Sequence, residues 1–167
     1  MIAIGALVAV LLSMLVELQI SQRNEQALRS RGAVQPPDPV YGTMRFAYPG
    51  VFVGMAIEGA LRGTPGARLL ATGAVVLVTA KILKAWAIYS LGDRWTYRVF
   101  VLPAAPLVTA GPYRWLRHPN YVAVIGELAG FAILVKALWT GPLGLLLFGE
   151  LLRQRIRAEE RALGLSR

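Results

Sequence analysis

The sequence has no cysteine, a single histidine, and nine acidic residues against eighteen Lys and Arg in a chain of 167. Without thiols there is no disulfide, no thiolate metal site and no cysteine nucleophile, and no metal centre is expected; the redox compartment stays open. Charge of either sign is scarce, 16% of residues against 56% hydrophobic, a balance too oily for a soluble fold of this size. The net charge of +9 invites a nucleic-acid reading, but no RNA- or DNA-binding motif and no basic helix accompanies it, so no nucleic-acid partner is expected. Also missing is the Gly-rich strand-to-helix fingerprint of soluble nucleotide-binding folds; Gly141-Pro-Leu-Gly144 lies inside an apolar stretch and reads as a turn. No internal repeat or low-complexity segment occurs. The N-terminal apolar run has no preceding Lys or Arg and no clear small-residue cleavage site, which reads as a retained span.

What is present is a series of oily runs separated by charge. Residues 1–16 are uncharged, and with 18–20 they make a helix about 30 Å long at roughly 1.5 Å per residue, enough to cross a bilayer. Polarity rises over 21–31 and Pro36-Pro37-Asp38-Pro39 stops any helix, so a charged loop is expected there. Residues 44–61, apolar apart from Arg45 and Glu58, form a second and shorter span bounded by Gly63-Thr-Pro-Gly66, and residues 69–91, with Lys81 and Lys84, form a third. Residues 121–152 would measure about 48 Å as one helix and overshoot a hydrocarbon core of about 30 Å, so they must fold back. Gly141-Pro142 is the expected break, giving a fourth helix over 120–139 and a fifth from Pro142 through Leu163. The expected fold is an all-α integral membrane protein of about five transmembrane helices, one domain over 1–167, whose last helix leaves the lipid as a charged extension.

Counting Lys and Arg by loop orients it. With the N-terminus outside, the inner side holds Arg23, Arg29, Arg31 and Arg45, then Arg94, Arg98, Arg114 and Arg117, then five arginines of the tail; the outer side keeps Arg62, Arg68 and Lys136. Short loops rich in positive charge stay cytoplasmic, so the 91–121 segment and the tail face the cytoplasm, and much of the +9 serves orientation and attraction to anionic lipid head groups.

Chemistry concentrates in Gly111-Pro-Tyr-Arg-Trp-Leu-Arg-His-Pro-Asn-Tyr121, which gathers two arginines, two tyrosines and the only histidine. His118, Arg114, Arg117, Tyr113 and Tyr121 together can grip an anion or an amino acid. Pro112 and Pro119 shape a loop that ends where the next helix begins. The same residue types also anchor helices at a membrane surface. In the tail, Arg155 and Glu159 lie four apart on one helical face, with Glu160 about 100° round.

Read in order, Gly111-Pro-Tyr, Arg117-His-Pro-Asn-Tyr121, an oily hairpin, then Arg155-Ile-x-x-Glu-Glu160-x-x-Leu163 resemble the isoprenylcysteine carboxyl methyltransferase family, relatives of the phospholipid N-methyltransferases. Leu91-Gly92 with Trp95-Thr96 resembles the family's lead-in, so the likeness spans about 84–165, the expected cofactor-binding core. The resemblance implies an integral-membrane enzyme that uses S-adenosylmethionine. By position it implies His118, Tyr121, Glu159 and Glu160 as cofactor contacts, Tyr113 and Gly111 shaping the pocket, and Arg155 as an essential catalytic-site residue. Arg94, Trp95 and Arg98 are the candidates for the acceptor side, a lipophilic acid, phenol or enol entering from the bilayer. Ala123 stands where relatives often have Gly, and the chain is similar to compact bacterial members, some of which O-methylate long-chain polyketides; this implies a bacterial inner membrane with the site facing the cytoplasm. Two alternatives stay open: an NADPH-dependent sterol-type reductase, whose Arg-His-x-Asn-Tyr loop is similar, and a non-enzymatic membrane scaffold.

Lys84 and Glu127 add one internal expectation. They fall about 10 Å and about 9 Å below the same end of their spans, so they are expected to pair inside the bundle, with Glu17 or Lys81 as the competing partner of either.

Overall fold

The computed structural model describes residues 1–103 and 105–164. Among the described residues five α-helices form: α1 (Ile2–Ser30), α2 (Tyr41–Leu61), α3 (Ala67–Leu91), α4 (Pro119–Val135) and α5 (Thr140–Ala162). Short 3-10 turns at Gly92–Arg94 and Gly111–Arg114 punctuate the long α3–α4 connection. A single antiparallel bridge, Val34 to Val101, is the only strand-like pairing among the described residues. α1 and the α3 segment are each long and apolar enough to cross a membrane. Their outward faces are oily, with Leu12, Leu15 and Val16 on α1 and Val75, Val78 and Ile82 on α3 exposed, surfaces that suit lipid rather than water.

Two boundaries depart from expectation. The 21–31 stretch is helix through Ser30, not loop, because it holds good helix formers and meets no Gly or Pro before Gly32. Gly32 at φ +78 ends α1, with Gly32 N–H donating to Arg29 O at 3.1 Å and Ala33 N–H to Leu28 O at 3.0 Å, the paired closure that a left-handed residue permits. The α4–α5 reversal falls at 136–139 rather than at Gly141-Pro142. Lys136 adopts φ 60, and Ala137 N–H donates to Ala132 O at 2.8 Å. Gly141 and Pro142 sit in the first turn of α5, where a missing backbone donor costs nothing. That turn is capped from α2: the Glu58 carboxylate accepts from Thr140 N–H at 2.7 Å, Thr140 Oγ1 at 2.6 Å and Trp139 N–H at 3.1 Å, and Arg62 Nε donates to it at 2.6 Å. A carboxylate there satisfies orphan donors at the positive end of the helix.

α3 and α4 are the most closely packed pair, and small residues are the reason. A Cβ on Gly73 would lie 2.3 Å from Leu134 N, one on Gly130 2.5 Å from Leu77 N, and one on Gly126 2.9 Å from the Ala80 Cβ. Glycines four apart on α4 thus let two backbones touch, the means by which helices adhere in lipid, where apolar side chains gain little by association. Beside this pair an aromatic core links α2, α4 and α5: Phe52 meets Tyr48 and Phe131 edge-on at 5.2 and 5.0 Å, and Tyr48 meets Phe148 at 5.0 Å.

Inside the bundle Lys84 does meet Glu127, at 3.3 Å, within a larger cluster. Lys84 also reaches Glu17 at 2.7 Å, and Lys81 lies 3.2 Å from Glu17 and 3.3 Å from Glu127. Tyr48 donates to Glu127 and Tyr97 donates to Glu17. Two cations and two anions from α1, α3 and α4 therefore neutralise one another where an isolated charge would be costly. The C-terminal ends of α1, α3 and α5 and the N-terminal ends of α2 and α4 converge above this cluster, and residues 92–97 fold across them.

Candidate active site

α4 starts where Pro119 fixes the first helical φ, which leaves His118 as its N-cap and places Tyr121 within the first turn. α5 continues unbroken to Ala162 because its polar half has neither Gly nor Pro. The two helix ends meet. Tyr121 donates from its hydroxyl to Glu159 at 2.6 Å, and a His118 ring nitrogen lies 3.2 Å from Glu160. The imidazole stacks on the Tyr121 ring, centroids 5.4 Å apart and planes 17° apart. Segments about forty residues apart in sequence thus share one hydrogen-bonded quartet.

The quartet flanks a cavity of about 440 Å³ at the converging helix ends, within the range of about 300–1,000 Å³ usual for small-molecule sites. His118, Tyr121, Glu159, Tyr113, Arg94, Trp95, Arg98 and Arg155 line it. Glu160 is set back, held by His118 and lying 3.9 Å from Arg117. Gly111 is also behind the wall: it adopts φ +58, and a Cβ there would sit 2.0 Å from Ser90 Oγ, so glycine lets the Tyr113 turn press onto the end of α3. Burial and the nearby Glu159 charge push the Tyr113 phenol up from its ordinary pKa, and burial with Glu17 does the same to Tyr97; both hydroxyls stay protonated, that of Tyr97 donating to Glu17. Leu91, Val99, Phe100, Leu107 and Val108 make the remaining wall largely apolar.

Arg155 is nearly fully buried, and its terminal nitrogens are engaged by the Asp38 carboxylate and the Tyr97 carbonyl. It ties α5 to the loop before α2 and to the 92–101 segment. That segment is also fastened to α1: Asn24 donates to Gly92 O at 3.0 Å and Trp95 O at 2.8 Å, Tyr97 N–H donates to Ser21 Oγ at 2.8 Å, and Arg98 lies 3.6 Å from Glu25. Arg94 reaches Pro106 O at 2.6 Å, and Trp95 is buried against Tyr97. Sequence reasoning did not single out Asn24, Ser21, Asp38 or Tyr97 for the site. Asp38 alone carried a signal, as the one acidic residue between Glu25 and Glu58, flanked by prolines in a basic loop.

Membrane-crossing apolar helices, with a polar cavity at one end built from a His-Pro-x-Tyr helix start and a Glu-Glu helix end, define a membrane-embedded helical enzyme class. The chain belongs to the isoprenylcysteine carboxyl methyltransferase family, whose sequence profile matches residues 72–164, and it is therefore a member of a family of membrane methyltransferases. It is 34% identical over 148 residues to the uncharacterized protein YpbQ of Bacillus subtilis, covering 88% of each chain. It is 29% identical over 147 residues to an uncharacterized protein of Haemophilus influenzae, covering 87% of this chain and 86% of that one. Both relatives are bacterial and of nearly the same compact length. No solved structure matches.

Proposed function

We propose that this protein transfers a methyl group from S-adenosylmethionine to a carboxyl, phenol or enol oxygen of a lipophilic acceptor, at the cytoplasmic face of a bacterial inner membrane. The observation that carries the reading is the quartet of His118, Tyr121, Glu159 and Glu160 beside a cavity of about 440 Å³. The donor set fits the cofactor: carboxylates suit its ammonium and ribose hydroxyls, Arg117 suits its carboxylate, and Asn120 brings a buried side-chain oxygen with no partner among the described residues. When bound, S-adenosylmethionine supplies an electrophilic methyl group.

The chain's own residues do the rest. Glu159 binds the cationic end from the cavity wall and Glu160, set back behind His118, adds its negative charge, with Tyr121 and His118 fixing their rotamers. Arg94 and Arg98 face the cavity from the acceptor side, orient an anionic oxygen and favour its deprotonated form. Trp95, Val99 and Leu107 exclude water and receive the apolar body of the acceptor. Arg155 acts through Asp38 and the Tyr97 carbonyl to hold the acceptor wall against the cofactor wall. The reading takes five membrane-crossing helices with the N-terminus outside, an arrangement the charge bias supports, in which the cavity opens to the side where a water-soluble cofactor is made.

The test is methyl transfer from labelled S-adenosylmethionine to matched short- and long-chain acids and enols, with the protein in bilayers. Label in the long-chain products alone is expected. Equal labelling of short soluble acceptors would overturn the lipophilic acceptor.

A further inference from the structure

One polar group on the cavity wall has been matched to no particular part of the cofactor. Asn120 lines the cavity, and its side-chain oxygen is buried with no hydrogen-bond partner among the described residues. An unpaired buried acceptor is costly and is rarely retained without a use. Its place is well defined: Asn120 is the second residue of α4, between the buried Pro119 and Tyr121, whose ring stacks on His118.

The charged ends of an S-adenosyl ligand have other claimants, Glu159 for the cation, with Glu160 behind it, and Arg117 for the anion. The group left over is the neutral, planar base, and the surroundings of Asn120 suit it. A carboxamide carries an acceptor and a donor side by side, which matches the amino group and adjacent ring nitrogen of adenine, the pairing by which Asn reads adenine in nucleic acids. The match holds for either orientation of the amide, since both of its ends find a complement on the base. The Tyr113, His118 and Tyr121 rings on the same wall offer flat faces for a heteroaromatic ring.

We propose that Asn120 is the residue that selects adenine, its side-chain oxygen accepting a hydrogen bond from the exocyclic amino group. This rests on the S-adenosylmethionine reading and adds to it the recognition of the base. Asn120 is a binding residue that takes no part in the methyl-transfer step itself.

The test is a two-by-two binding cycle on the full chain in detergent, by calorimetry. The ligands are S-adenosylhomocysteine and its counterpart with an unsubstituted purine in place of adenine; the proteins are wild type and Asn120→Ala, with Asn120→Asp as a second variant that keeps the acceptor. Wild type is expected to prefer the adenine ligand by about tenfold, the value of one buried hydrogen bond. Asn120→Ala is expected to bind S-adenosylhomocysteine about tenfold more weakly and to lose the preference, while Asn120→Asp keeps it. A preference in Asn120→Ala equal to that of wild type, or none in wild type, overturns the assignment while leaving cofactor binding itself intact. Failure of wild type to bind either ligand overturns both this assignment and the methyl-transfer reading on which it rests. If Asn120→Ala does not fold, the wild-type preference and its retention in Asn120→Asp decide the question.

Discussion

Replacing Glu127 by Ala tests whether the intramembrane charges act as one unit. The substitution leaves Lys84 with Glu17 at 2.7 Å and Lys81 with Glu17 at 3.2 Å, so two cations share one carboxylate, and the Tyr48 hydroxyl loses its acceptor. Removing one partner of a buried pair costs about 3–5 kcal/mol, and the surviving Glu17 places this case near the lower end, about 3 kcal/mol. For a chain of this length that is a fall of roughly 6–12 °C in melting temperature, at about 2–4 °C per kcal/mol. Lys84→Ala should behave similarly, since Glu127 then keeps Lys81 at 3.3 Å but Glu17 and Glu127 share one cation. The double variant leaves Lys81 and Glu17 as a balanced pair. Its loss should be about 4 kcal/mol rather than about 6, a coupling of about 2 kcal/mol. Thermal unfolding in detergent, followed by circular dichroism on the four proteins, measures this directly. If the two single losses add to within about 0.5 kcal/mol, Lys84 and Glu127 are not coupled and the described packing of α3 on α4 is wrong.

Three further outcomes follow from the packing and the caps. Glu58→Ala should lower the melting temperature by uncapping α5, with Glu58→Gln recovering part of the loss. Gly130→Ala should force α4 off the Leu77 backbone and cost about 1–3 kcal/mol, whereas Gly5→Ala, with nothing within 4 Å of the added carbon, should be neutral or stabilising by up to about 1 kcal/mol. Asn24→Ala releases two carbonyls of the acceptor wall; it should raise the KM for the acceptor several-fold while S-adenosylhomocysteine affinity stays within about twofold, a split that a general loss of stability would not produce.

The helical layout was legible because its signals are local. Apolar runs bounded by Gly and Pro located α2 and α3 to within a few residues, and matched depths along two helices brought Lys84 to Glu127. The approach of His118 and Tyr121 to Glu160 and Glu159 was legible only through the paired motifs, since forty intervening residues carry no distance information of their own. What stayed hidden depends on tertiary partners. The helical state of residues 21–30 is one case, because Ser21 and Asn24 read as loop polarity until the 92–101 segment is seen to dock on them. The left-handed turn at Lys136 is another: lysine has no local preference for that conformation, and Gly141-Pro142 nearby offered the stronger signal. Asp38 and Glu58 each looked like an isolated acid, and their work, holding Arg155 and capping α5, is done on elements more than 75 residues away.

Cofactor identity is decided most directly by calorimetry on the detergent-solubilised full chain, titrating S-adenosylhomocysteine and NADPH into wild type, Glu159→Ala and Glu160→Ala. Each replacement deletes an acceptor for a charged ligand at a partly exposed position and leaves the buried core untouched, so the variants should remain folded. The predicted result is binding of S-adenosylhomocysteine and not NADPH by wild type, weakened about tenfold or more in each variant. Binding of NADPH in its place, or S-adenosylhomocysteine affinity unchanged in both variants, would contradict the assignment of this cavity to S-adenosylmethionine.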